Sequence, residues 1–149
     1  MSDTTSITVD QFLAHPPRRV WQALVDPGLL SAWFMPNDFA PAVGHAFTFQ
    51  RPKPNRELHF SDKIVCEVLE IQAEKQLSYS WTDAAYPGEL DSRVTWTLES
   101  EGGGTRLVVE HRGFAADDPI HQKVRALMTG GWAIYLGERL AEHLERGTT

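Results

Sequence analysis

The sequence predicts an α+β fold: six antiparallel strands, two short helices after the first strand, and a long C-terminal helix. Three observations predict it. Successive segments between Gly44 and Phe114 alternate apolar and polar residues with period two. The connections between them are short and carry Gly, Pro and Asn, so strands adjacent in sequence pair as an antiparallel meander. From Pro119 the apolar period changes to three and four residues and holds as far as Leu144.

Each element has its own signal. In ITVDQFLAH, following Ser6, Ile7 and Val9 alternate with Thr8 and Asp10, and Pro16-Pro17 ends this first strand. Proline suits the first turn of a helix, and Val20, Trp21 and Leu24 then form one apolar stripe. Asp26 caps and Pro27 begins a second short helix bearing Leu29, Leu30 and Trp33. Helices this short are marginal alone and depend on tertiary packing. GHAFTFQ (from Gly44), DKIVCEVLEI (from Asp62), QLSYSWT (from Gln76), DSRVTWTLE (from Asp91) and TRLVVEHRGF (from Thr105) read as strands. Turns are expected at Arg51-Pro52-Lys53-Pro54-Asn55, Ala73-Glu74-Lys75, Tyr86-Pro87-Gly88 and Glu101-Gly102-Gly103-Gly104. The last is the clearest hairpin signal.

Asp117-Asp118-Pro119 restarts a helix by cap and proline. Val124, Leu127, Met128, Trp132, Tyr135, Leu136, Leu140 and Leu144 mark its apolar side, Glu138, Arg139, Glu142 and Glu145 its polar side, and Gly147 its end. Within it, Gly130-Gly131 costs about 1 kcal/mol per glycine relative to alanine. Close packing of a neighbour is the expectation there, so that Gly131→Leu would clash; a bend that opens a cavity is the alternative.

At 149 residues, 42% hydrophobic and 23% charged, the chain is the size and composition of one globular domain, here placed at 6–146 with flexible ends at 1–5 and 147–149. A net charge of -6 and the lack of any Lys/Arg stripe argue against a nucleic-acid partner or an anionic membrane surface. The basic start of a signal peptide is missing, as is an apolar run of the ~20 residues that span a bilayer, and a cytoplasmic location is expected. The single Cys66 reads as a buried, inert thiol. Six histidines show no metal-ligand spacing, no serine sits in a G-x-S-x-G setting, and Gly102–Gly104 lies between strands rather than before a helix. No metal and no cofactor is expected.

The strand alternation sorts the site candidates. One face carries Phe47 and Phe49; Leu77, Tyr79 and Trp81; Val94, Trp96 and Leu98; Leu107, Val109 and His111. Arg93, Thr95, Thr97, Arg106, Glu110 and Arg112 fall on the other, and a one-residue slip would exchange the two sets. Large rings with polar tips need hydrogen-bond partners when buried, a cost that a merely filled core avoids with Leu, Ile and Val. The set therefore points to an apolar cavity with a few polar groups, joined from the helices by Trp33, Phe34, Met35, Met128 and Trp132. For chemistry, His111 and Tyr79 are candidates within it, as is Glu67, which with Glu70 flanks Val68-Leu69 so that at most one of the two points inward. Simple packing of these rings, and a hydrogen-bonded core histidine, are the plainer alternatives.

The element order, with Pro17-x-x-Val20-Trp21-x-x-Leu24, Asp26-Pro27, Trp33-Phe34 and the late Gly131-Trp132, resembles the activator-of-heat-shock-protein-90-ATPase homologue-like family of the START-like, polyketide-cyclase-like (SRPBCC) superfamily. The resemblance runs from about Ser6 to about Leu144. It implies a helix-grip fold, a curved six-stranded antiparallel sheet wrapped around the long C-terminal helix with the two short helices closing one end. It also implies a family that includes chaperone ATPase activators, carriers of hydrophobic ligands, cyclases and aromatases, so fold does not choose the function.

Three readings follow. The first is non-catalytic binding of a small hydrophobic or aromatic molecule, the chain being a monomer or homodimer. A second, implied by the resemblance, is a protein-interaction module acting on a chaperone, although the further N-terminal domain of eukaryotic activators is not seen in this chain. The third is a cyclase- or hydrolase-like enzyme using His111, Tyr79 or Glu67, which needs few catalytic groups if folding of the substrate does most of the work.

Overall fold

The alternating segments pair as expected. A computed structural model describes residues 4–146. The chain forms β1 (Ser6–Leu13), α1 (Pro17–Val25), α2 (Pro27–Trp33), β2 (Ala46–Gln50), β3 (Lys63–Gln72), β4 (Gln76–Asp83), β5 (Ser92–Glu101), β6 (Gly104–Arg112) and α3 (Pro119–Ile134). α3 continues through a π-helical turn (Tyr135–Leu140) into α4 (Ala141–Arg146), with right-handed helical dihedrals at both junctions. The sheet order is β1-β6-β5-β4-β3-β2 and every pair is antiparallel, so β1 and β2 are its edges. This is the helix-grip arrangement of the START-like fold.

Register follows the alternation. Tyr79 pairs with Val94 and Trp96 with Val109, while His111 is flanked by Ile7 and Val94. All eleven residues assigned to the inner face are at most 5% exposed, whereas Arg93 and Arg112 are exposed and Thr95, Thr97, Arg106 and Glu110 half-buried. β5 and β6 are joined by Gly102 (φ 54°) and Gly103 (φ 84°), two residues in the left-handed region, the geometry of the tightest hairpin turn.

The two short helices are held by side chains. Asp26 Oδ1 accepts from the N–H groups of Gly28 and Leu29, a cap that contributes about 1 kcal/mol. Trp33 Nε1 donates to the carbonyl of Ala23 at 2.8 Å, strapping α2 to α1. Its indole is 2% exposed and meets Trp96 edge-on. These helices thus take from the core the stability that their length denies them.

Two expectations are corrected. The β2–β3 connection is no tight turn at 51–55. It extends from Arg51 to Asp62, with a 3-10 turn at Arg56–Leu58 capped by Asn55 and an Asn55–Phe60 bridge, and it lies against α3. Nor is Gly131 closely packed: a Cβ added to Gly130 or Gly131 meets nothing within 4 Å, because this side of α3 faces open space.

At the ends, the Thr5 carbonyl accepts from Gly113 and Phe114, and Gln122 Nε2 donates to the Thr4 carbonyl. The remaining terminal positions, 1–3 and 147–149, lie outside the described residues, as does the expected helix stop at Gly147. Among the described residues no helix is long and apolar enough to cross a membrane.

Candidate functional site

Where α3, the end of α2 and the Arg51–Asp62 connection meet, the side chains leave a cavity of about 250 Å³. Phe34 and Met35 reach it from just beyond α2, Ile64 and Trp81 from β3 and β4, and Phe60 from the connection. Met128, Gly131 and Trp132 face it from α3, and Tyr135 from the first position of the π-helical turn. The exposed Pro52, Lys53 and Leu127 border it on the solvent side.

The cavity wall is a set of interlocked rings. Phe34 stacks on Trp132 (centroids 5.5 Å, 14° between planes) and meets Tyr135 edge-on at 4.5 Å. Trp81 tilts against Trp132 at 5.7 Å. Each such pair adds about 1 kcal/mol beyond burial. Behind it a second layer is solid: Phe49 lies between Phe34, Phe47 and Trp81, and Trp96 donates its indole N–H to the Tyr79 hydroxyl at 2.9 Å. Burial pushes the Tyr79 hydroxyl well above the usual phenol range, so it stays protonated.

His111 closes a buried hydrogen-bond chain. Trp132 Nε1 can only donate, so His111 Nδ1 accepts from it at 3.2 Å. Nε2 therefore carries the proton and donates to Ser92 Oγ at 2.8 Å, and Ser92 donates in turn to the Trp81 carbonyl at 2.8 Å. Both ring nitrogens are occupied, and complete burial pulls the imidazole down to about 3. The ring is neutral at physiological pH and joins the sheet to the helix rather than facing the cavity.

Of the two charged residues that line the cavity, Arg51 and the exposed Lys53, Arg51 is set into the wall. Its guanidinium, only 11% exposed, donates through Nη1 to Asp83 Oδ2 and to the Ser61 carbonyl, each at 2.8 Å, and sits 4.1 Å above the Phe60 ring. Burial raises the Asp83 carboxyl, but bonds from Ser61, Arg51 and Ala85 outweigh it and hold the group below the usual carboxylate range. Burial likewise pulls Arg51 down, against the opposing pull of Asp83. On the far side of Arg51, Asp83 lines a small crevice of about 30 Å³ together with His59, Glu89 and His121.

Of the residues expected at the site, Phe34, Met35, Trp81, Met128 and Trp132 line the cavity. Trp33, Phe47, Phe49, Tyr79, Trp96 and His111 do not: the first straps the short helices, and the others fill the layer behind the wall. Glu67 is corrected outright. It is exposed on the outer face of β3, because the inward positions there are Ile64, Cys66 and Val68. Glu70 also turns outward, taking a hydrogen bond from Gln76 and lying 3.6 Å from Arg93. Cys66 is buried, and burial pushes its thiol up, away from the reactive thiolate. Sequence reasoning missed Arg51, Phe60, Ile64 and Tyr135. Ile64 and Tyr135 carried a periodicity signal, whereas Arg51 and Phe60 sat in a segment read as a turn. Among the described residues no three His, Cys, Asp or Glu side chains are grouped to hold a metal ion.

The comparisons agree with this architecture. Protein MLL2253 from Mesorhizobium loti is 33% identical, with a TM-score of 0.82 over 97% of this chain and 99% of that one. CalU16 from Micromonospora echinospora shares 24% identity and a TM-score of 0.68, covering 95% of this chain and 79% of its own. The Aha1 dimer from Colwellia psychrerythraea shares the fold at 17% identity, with a TM-score of 0.77 over 97% and 98% of the two chains. Among curated proteins, none matches. Residues 14–145 match the family described as Activator of Hsp90 ATPase homolog 1-like protein. The chain belongs to that family.

Proposed function

We propose that the protein binds a small, largely apolar molecule, non-catalytically, in the cavity between the sheet and α3. The observation that supports this reading is the ring-lined space of about 250 Å³ beside Gly131. It lies just below the roughly 300–1,000 Å³ usual for small-molecule sites. An apolar cavity of roughly 150 Å³ already accepts benzene, so one or two rings match this one. Binding without chemistry is favoured because the catalytic candidates are elsewhere: His111 and Tyr79 are hydrogen-bonded behind the wall, and Glu67 is outside.

The test is a panel of mono- and bicyclic aromatic and short acyl compounds, read by tryptophan fluorescence and thermal shift. Saturable quenching with a raised Tm is expected, since Trp81 and Trp132 border the cavity and a ligand at 100 times its Kd adds about 2.7 kcal/mol of stability. A panel with neither effect overturns the reading.

The family match favours a second reading, stimulation of a chaperone ATPase through direct contact. It predicts that the purified protein raises the ATP turnover of a heat-shock-protein-90 chaperone; unchanged turnover removes it.

A further inference from the structure

We propose that the preferred ligand of this cavity is an amphipathic acid, a flat apolar body of one or two rings whose carboxylate is held by Arg51 and Tyr135. This rests on the small-molecule reading above and adds the head group.

The cavity's lining includes two cationic side chains, Arg51 and Lys53, and no Asp or Glu. The carboxylate that pairs with Arg51, Asp83, lies on the far side, toward the adjoining crevice. Its oxygens are already engaged by Arg51, Ser61 and Ala85. That pairing uses Nη1 of the guanidinium alone. Among the described residues, Nε and Nη2 of Arg51 make no hydrogen bond, and neither does the Tyr135 hydroxyl. Donors without acceptors in an apolar wall call for an acceptor on whatever enters. Arg51 and Tyr135 line the same cavity.

Arg51 is fixed by Asp83, the Ser61 carbonyl and the face of Phe60, so a carboxylate meets a pre-oriented planar fork and little side-chain entropy is lost. Elsewhere in the lining Phe34, Ile64, Met128 and Trp132 offer the body of the ligand no polar side-chain partner, the Trp132 indole N–H being spent on His111. One end of the site thus takes an anion and the remainder takes rings.

The experiment compares 2-naphthoate with its neutral isostere 2-naphthamide by isothermal titration calorimetry at pH 7.5, with 15N NMR mapping of the Gly131 amide and the Trp81 and Trp132 indoles. Naphthoate binding at least tenfold tighter than the amide, with those resonances shifting, is the expected result. In Tyr135→Phe and Arg51→Gln the ratio falls toward one; should Arg51→Gln fail to fold, Tyr135→Phe carries the comparison. Equal affinity for the two compounds, or a ratio unchanged in the variants, overturns the acid preference and leaves the cavity reading standing. Binding that leaves the Gly131 and indole signals unmoved overturns the placement. No binding of either compound defeats both.

Discussion

Trp132 on α3 donates its indole N–H to His111 on β6, 3.2 Å away, and through that bond the long helix is tied to the sheet at the strand between β1 and β5. The same indole ring faces the cavity. Its polar edge is thereby turned inward and its apolar face left toward the cavity. The polar tips of Tyr79, Trp96, Trp132 and His111 bond one another and hold the rings of the inner face in place.

His111→Leu should cost stability without touching the ligand. It leaves the Trp132 N–H unpaired in the core, a loss of about 2 kcal/mol, which urea denaturation measures. Because His111 does not border the cavity, affinity for an aromatic ligand in the folded variant should stay within about threefold of wild type.

The same histidine makes stability depend on pH. Its folded value, about 3, lies below the 6.5 of an exposed imidazole, so between these values the unfolded chain binds the extra proton. Stability contributed by the neutral ring is full above pH 6.5 and is lost as pH falls toward 3. From pH 7 to pH 5 the loss is about 2 kcal/mol, at about 1.4 kcal/mol per pH unit below 6.5. Urea titrations at the two pH values should show this slope in wild type and a shallower one in His111→Leu.

Asp83→Asn should be more damaging than most single changes at the wall. It leaves the buried Arg51 charge without its partner, at a cost of about 3 kcal/mol. The double variant Arg51→Met with Asp83→Asn should recover part of that in thermal or urea unfolding, because it removes the unpaired charge while Asn keeps an acceptor for the Ser61 and Ala85 N–H groups.

Gly131→Ala should stabilise the protein by about 1 kcal/mol. The position is helical, and an added Cβ meets no atom within 4 Å, so the helix propensity gain is not offset by a clash. A lower Tm in this variant would restore the close-packing expectation.

Much of this architecture was legible because its signals are local. Asp26-Pro27 and Asp118-Pro119 mark helix starts that the structure places where they were expected, with Asp26 and Asp118 each accepting two backbone N–H groups. The Phe47 to His111 alternation fixed the inner face because a single register error would have exposed every ring. What alternation cannot give is how far rings of known direction fill the space they share. Phe49, Tyr79 and Trp96 point inward as expected and are consumed by one another. The open volume instead lies toward the β2 edge, where a twelve-residue connection brings in Arg51 and Phe60. That segment has no periodicity, so neither residue announced itself. Gly130-Gly131 carried the right question: glycine is compatible with a crowded backbone and with an open one, and only the surroundings of α3 distinguish them.

The most direct test fills the space from the protein side. Gly131→Leu places a side chain in the cavity, and 2-naphthoate is then titrated into this variant and into wild type by calorimetry, with the Tm of each recorded. The account predicts a folded variant at least as stable as wild type that binds at least tenfold more weakly. Unchanged affinity, or a Tm lowered by several degrees, would contradict it.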